Sequence, residues 1–234
     1  MALAVELLSR ASFREMKEVV ITGGGGGLGQ AVAHAFESPD WKVSAPGSLE
    51  LDVRDYVAVA RYFRNHSPDL LVCAAGMIRD MPLARVTESD WDEILAVNFQ
   101  GARVCAMAAL PGMVQRGGGH VVFISSFSAL HPPCGQVAYA AAKSALIGLT
   151  ADLASRHGPA NIRVNVVLPG FLETKMTGSV SVKRRSDVLA AHALGRFNTA
   201  GVAAKFIRYL HDQLPHTSGQ VIQLDSRIDC NNLP

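Results

Sequence analysis

The chain has 234 residues, 49% of them hydrophobic and 18% charged, a balance that suits one well-buried domain better than two small ones. Twenty-two Lys plus Arg against 20 Asp plus Glu leave a formal net charge of +2, so no strong field points to nucleic acid or to an anionic membrane surface. A small-molecule or acyl substrate is the expected partner. Cysteines 73, 105, 134 and 230 are scattered, with no CxxC and no histidine at metal-ligand spacing, which predicts a reducing, cytoplasmic setting and no metal site. No run reaches the roughly 18 to 20 uninterrupted apolar residues of a membrane span.

Residues 1–16 form a mildly amphipathic extension without the apolar core of a signal peptide, and are expected to be poorly ordered. The domain is expected over 17–234. EVVIT (18–22) reads as a first strand, GQAVAHAFES (29–38) as a helix, and KVSA (42–45) and SLELDV (48–53) as strands. YVAVARYFRNH (56–66) is helical and DLLVCAAG (69–76) is a strand with its exit turn. A long helix is predicted from about Glu88 to Arg116, with Thr87 and Ser89 as candidate caps and Gly117 to Gly119 as its stop. Strand HVVFISS, helix YAAAKSALIGLTADLASRH, strand IRVNVVLPG, helix VAAKFIRYLHDQ and strand GQVIQLD complete the chain. This unbroken alternation predicts a single α/β domain of the Rossmann type, with a doubly wound parallel sheet. In such sheets ligands lie at the carboxyl ends of the strands.

Two motifs sit at those ends. The five glycines of VVITGGGGGLGQAVAHAF leave the first strand and open the first helix, and Gly23, Gly27 and Gly29 fit a TGxxxGxG spacing. Absent side chains there let the backbone approach a pyrophosphate at the positive end of the helix, although tight turns and close packing also select glycine. Tyr139 and Lys143 stand four apart on one helix face. A free phenol has a pKa near 10, and a neighbouring ammonium favours the phenolate, so Lys143 could make Tyr139 a usable acid and base. Ser126, thirteen residues upstream at a strand end, could hold a reacting carbonyl oxygen beside it. An ordinary helix-surface pair and a turn-bonding serine have the same residue types.

Taken together, TGGGGGLG and YAAAK resemble the short-chain dehydrogenase/reductase family. CAAG (73–76) resembles its NAAG turn, VNFQG (97–101) contains its helix asparagine, and LPGFLET (168–174) resembles its PGxxxT segment. The resemblance runs from residue 17 to about residue 226, and the later half is most similar to the β-ketoacyl-carrier-protein reductases. It implies an NAD(P)-dependent oxidoreductase that reduces a ketone to a secondary alcohol, with Tyr139 as general acid and a 3-oxoacyl thioester as the expected substrate. It implies Asn98, Ser126, Tyr139 and Lys143 as catalytic residues, with Asn98 linking Lys143 to solvent through water. Cofactor contacts are implied for Thr22, Gly23, Gly27, Leu28, Gly29, Asp52, Val53, Ala74, Ala75, Gly76, Tyr139, Lys143, Pro169, Gly170 and Thr174. Relatives usually assemble as tetramers, which implies a homotetramer or dimer pairing the Asn98 and Tyr139 helices. The alternatives are NAD-dependent oxidation of a polyol, sugar or small secondary alcohol, and a dinucleotide-sensing protein without chemistry.

Three departures stand out. Family members place a helix between the second and third strands, whereas KVSAPG here runs almost directly into SLELDV, as in the related deoxysugar-nucleotide reductases, which often accept both cofactors. Residues 44–48 carry no charge, so neither an acidic partner for ribose hydroxyls nor a basic one for a 2′-phosphate is evident; NADPH is slightly favoured because no carboxylate repels it. Cys73 replaces the asparagine of NAAG. The closing SRIDCNNLP, with Cys230, lacks the glycine pair that often ends these chains. Lys183, Arg184 and Arg185 lie in the segment expected to cover substrate, where they could meet an acidic carrier protein or form a solvated cluster.

Overall fold

The computed structural model describes residues 16–227; the expected extension before Met16 and the Cys230 tail lie outside them. Six strands form one parallel sheet: β1 (Lys17–Thr22), β2 (Trp41–Ser44), β3 (Leu70–Cys73), β4 (Gly119–Ile124), β5 (Ile162–Leu168) and β6 (Val221–Gln223). Their order is β2-β1-β3-β4-β5-β6. The order reverses between β1 and β3, which opens a crevice at their carboxyl ends.

Strand residues alternate between two cores. Val20, Leu71, Val121, Phe123, Val164 and Val166 face helices α2 (Tyr56–Arg64), α3 (Glu88–Arg116) and α4 (Val137–His157), meeting Phe63, Met113 and Leu146. Val19, Ile21, Leu70, Val72, Val122 and Val167 face helices α1 (Gly27–Phe36) and α6 (Ala200–Gln213), meeting Phe36, Ile207 and Leu210. Burial on both faces explains why the strands read as continuous apolar runs. A short helix, α5 (Val182–Ala190), follows the β5 exit loop. Helices α3 and α4 are long and apolar enough by length and composition to cross a bilayer, although polar residues interrupt both; here their apolar residues pack on the sheet.

Two expected features are corrected. Residues 48–53 form turns, not a strand. A parallel neighbour needs a crossover of about a dozen residues, and only Ala45, Pro46 and Gly47 separate SLELDV from β2; Leu51 and Val53 still bury their side chains while Leu49 is fully exposed. The cap of α3 is Thr87 alone: its hydroxyl accepts from Asp90 N and its own N donates to Asp90 Oδ2, leaving Ser89 inside the helix. Gly117, at φ +83°, ends α3 as expected.

Beneath β4 and α6, His120 and His211 stack at 5.5 Å, and each has a buried Nδ1 without a hydrogen-bond partner. Burial, then the Arg163 charge, pushes His211 down to about 4, and burial holds His120 well below the usual range. Both are neutral in the fold, whereas the unfolded chain takes up protons near pH 6.5. Their contribution is therefore complete above about pH 6.5 and is lost as pH falls toward 4, by on the order of 2 kcal/mol for His211 at pH 5. The urea midpoint is expected to drop between pH 7.5 and pH 5; an unchanged midpoint would refute this reading.

Candidate active site

The glycine turn joins β1 to α1 at the crevice. Gly23 sits at φ +72°, and a Cβ there would lie 2.6 Å from Ala75 Cα. A Cβ on Gly29 would meet Gly23 O at 2.4 Å, so the helix packs directly on the turn. No side chain caps α1 at Gly26, which leaves its first amides aimed into the crevice beside the positive helix end. On the far side, Thr174 closes over the turn: its Cγ2 would touch a Cβ on Gly27 at 2.9 Å. An uncapped helix start walled by backbone and one threonine methyl fits a pyrophosphate.

The turn opens into a cavity of about 860 Å³ lined by Gly27, Leu28, Gly29, Ala74, Gly76, Ser126, Tyr139, Lys143, Pro169, Gly170 and Thr174. Eleven of the residues expected from the sequence thus share one space. Thr22 and Ala75 support it from behind, with Ala75 N donating to Thr22 Oγ1 at 3.4 Å. Asp52 and Val53 do not line it. Val53 is buried in the core against Gly101, and the Asp52 carboxylate is gripped by Arg54 at 2.8 Å, which holds it below the usual carboxylate range.

Each reactive side chain is placed by its element. Ser126 leaves β4 and caps the short turn Phe127–Ala129, its hydroxyl accepting from Ser128 N at 3.2 Å. Ser125, buried beside it, donates to Lys143 O at 2.8 Å and ties β4 to α4. Lys143 is 4% exposed; its Nζ donates to Ile124 O at 2.9 Å and lies 5.7 Å from the centre of the Tyr139 ring. Burial pushes its ammonium down to about 8. The Tyr139 phenol is raised, chiefly by burial, with a hydrogen bond from Ser126 pulling it down and the Asp80 charge adding to the rise. The expectation that Lys143 lowers the phenol is thereby corrected: burial dominates, and the lowering comes from Ser126 and not from the ammonium. At neutral pH the phenol keeps its proton, the state a donor to a carbonyl oxygen requires.

Asn98 is fully buried in a π-helical stretch of α3, Ala96–Gly101. Its Nδ2 donates to Met77 O and Ile94 O, both at 2.9 Å, and its Oδ1 accepts from Met77 N at 3.2 Å. It clamps the loop after β3, and a Cβ on Gly76 would stand 3.0 Å from its Oδ1 and 3.6 Å from Lys143 Nζ. The thiol of Cys73, raised by burial, donates to Ala102 O at 3.7 Å and so replaces the bracing of the missing asparagine with a weaker bond.

Several cavity residues escape sequence reasoning. Ser128 Oγ donates to Gln136 at 2.8 Å, and Gln136 Nε2 donates to Asp80 at 3.0 Å, a polar chain joining three loops with no common spacing. Arg227 lies against the Phe127 ring, 3.7 Å from its centre, and pairs with buried Asp225. Of the basic run, Arg184 lines the cavity while Arg185 pairs with Glu173 and covers Phe197. Arg116 is structural, bonded to Pro68 O at 2.6 Å.

The family profile for short chain dehydrogenases matches residues 48–185. A 3-oxoacyl-acyl-carrier-protein reductase of Aquifex aeolicus is 32% identical over 230 residues, covering 96% of this chain and 90% of that protein. Its counterpart from Thermotoga maritima is 39% identical over 158 residues, 67% of this chain and 64% of that protein. Carbonyl reductase family member 4 of Xenopus laevis is 31% identical, covering 89% and 96%. Among solved structures, a chain assigned as an NAD(P)-dependent gluconate 5-dehydrogenase from Beutenbergia cavernae, with NADP bound at low occupancy, superposes with a TM-score of 0.82 at 26% identity, over 90% of this chain and 95% of that one.

Proposed function

The chain belongs to the short chain dehydrogenase family and is an NAD(P)-dependent oxidoreductase acting on CH–OH groups; from that premise we propose that it reduces the ketone of a 3-oxoacyl thioester. The observation that carries this reading is the shared cavity: Ser126, Tyr139 and Lys143 line the space into which the α1 amides and the glycine turn also open. The nicotinamide, when bound, supplies the hydride. Ser126 holds the carbonyl oxygen, Tyr139 Oη gives it a proton, and Lys143 holds Tyr139 in register from the same helix face. Asn98 fixes the loop around Gly76 against Lys143. Reductase relatives from two bacteria support the thioester.

A second reading, oxidation of a polyol, sugar or small secondary alcohol, is favoured by the polar side chains of Ser128, Gln136 and Asp80 in the cavity wall, which suit a hydroxylated substrate, and by the gluconate 5-dehydrogenase likeness. Oxidation of NADPH and NADH with acetoacetyl-coenzyme A separates the two. Turnover is expected; none, in a protein that binds dinucleotide, would move the assignment to the alcohols. We also propose a homotetramer built on α4 and on α3, which exposes Met107 and Val114; light scattering after gel filtration checks it, and a monomer would refute it. The free thiols of Cys73, Cys105 and Cys134 support a cytoplasmic setting.

A further inference from the structure

The shortened arm after β2 folds against the glycine turn. Gly24 N donates to Pro46 O at 3.0 Å, and a Cβ on Gly24 would fall 2.0 Å from Ala45 O. One turn later the arm doubles back: Glu50 N donates to Gly47 O at 3.0 Å, and Glu50 Oε2 accepts from Gly47 N at 2.7 Å. A Cβ on Gly47 would stand 3.8 Å from that oxygen and 3.8 Å from Gly25 N. Gly47 thus has the Glu50 carboxylate on one side and Gly25, which lines the cavity, on the other. Nearby cations are engaged elsewhere, Arg54 by Asp52 and Glu93 and Lys42 by Glu18. Among the described residues none pairs with Glu50.

The hydride end of a dinucleotide must lie at Tyr139, over β4 and α4. With its pyrophosphate at the α1 amides, the adenosine end runs the other way along the strand ends, over β1 and β2. We propose that Glu50 there takes the part of the missing strand-end carboxylate, accepting hydrogen bonds from the adenosine ribose hydroxyls and repelling a 2′-phosphate, so that the enzyme selects NAD(H) over NADP(H). The proposal rests on the oxidoreductase reading of the cavity. It also removes the premise of the NADPH expectation, since the carboxylate absent from residues 44–48 returns from residue 50.

Titrating wild type and Glu50→Gln with NADH and with NADPH, read by nicotinamide fluorescence, tests this without turnover. Wild type is expected to bind NADH at least about tenfold more tightly, and Glu50→Gln, which keeps an acceptor for Gly47 N, to bring the two within about threefold through tighter NADPH. Equal binding or an NADPH preference in wild type would overturn the proposal and leave the oxidoreductase intact; so would an unchanged ratio in a Glu50→Gln protein of normal melting temperature. Binding of neither dinucleotide would overturn the reading of the cavity and this assignment with it. Should Glu50→Gln fail to fold, the wild-type preference must shrink as salt is raised, and a salt-independent preference would count against a charge at this position.

Discussion

Tyr139→Phe is expected to lower turnover about a thousandfold while dinucleotide binding changes by less than about threefold. The ring fills a half-buried position on α4 and stays, so the wall of the cavity keeps its shape. What leaves is the hydroxyl, whose proton is held at neutral pH by burial and which shares a hydrogen bond with Ser126. Ser126 can still hold a carbonyl oxygen, but no group remains to protonate it as the hydride arrives. Single-turnover oxidation of bound NADH or NADPH measures the loss directly, and near-normal rates would remove Tyr139 from the mechanism.

Gly23→Ala is expected to cost stability and dinucleotide binding together. Its φ of +72° lies in the left-handed region, where a non-glycine residue costs about 1–3 kcal/mol. The new methyl would also meet Ala75 Cα at 2.6 Å and Ala75 N at 2.7 Å. Those atoms are backbone, two residues past the last β3 residue paired with β1 and with Ala75 N bonded to Thr22 Oγ1, so they cannot swing aside as a side chain would, and such overpacking adds roughly 1–3 kcal/mol. For a chain of this size the sum corresponds to a melting temperature lower by about 10 °C. Gly201→Ala is the control, because its Cβ meets nothing within 4 Å near the start of α6, and there alanine should raise the melting temperature slightly. Equal melting of the two variants would show that the turn tolerates side chains.

The sheet, its helices and the clustering at the β1, β3, β4 and β5 exits were legible because each strand is an apolar run and each helix has its own caps or breakers. Ser126, Tyr139, Lys143 and the glycines were legible because they lie within a few residues of those exits. Leu49, Leu51 and Val53 misled because alternation reports burial, and a turn can bury two of three such residues as well as a strand does. Asp80, Gln136 and Arg227 reach the cavity from loops far apart in the chain, so no local pattern marks them. Glu50 was hidden for a related reason: its carboxylate serves Gly47 only because the arm reverses direction, and reversal is a property of backbone path rather than of composition. The Tyr139 phenol ran against expectation because an ion pair is readable from spacing, whereas desolvation depends on everything packed around the pair.

Loss of the arm's strand and helix also leaves β2 as the border of the sheet, its outer row of amides and carbonyls unmatched by any neighbour. Such borders recruit stray strands, including those of other copies during folding. This one is only four residues long, carries the charged and half-exposed side chain of Lys42, paired with Glu18 of β1, and meets Pro46 two residues after its end. A fourth or fifth hydrogen bond to an incoming strand would have to pass a residue with no N–H to give. The opposite border, Val221–Gln223, is three residues long. A trimmed enzyme of this kind resists edge-to-edge aggregation through brevity, one charge and one proline, and Lys42→Val is where that resistance would first be lost.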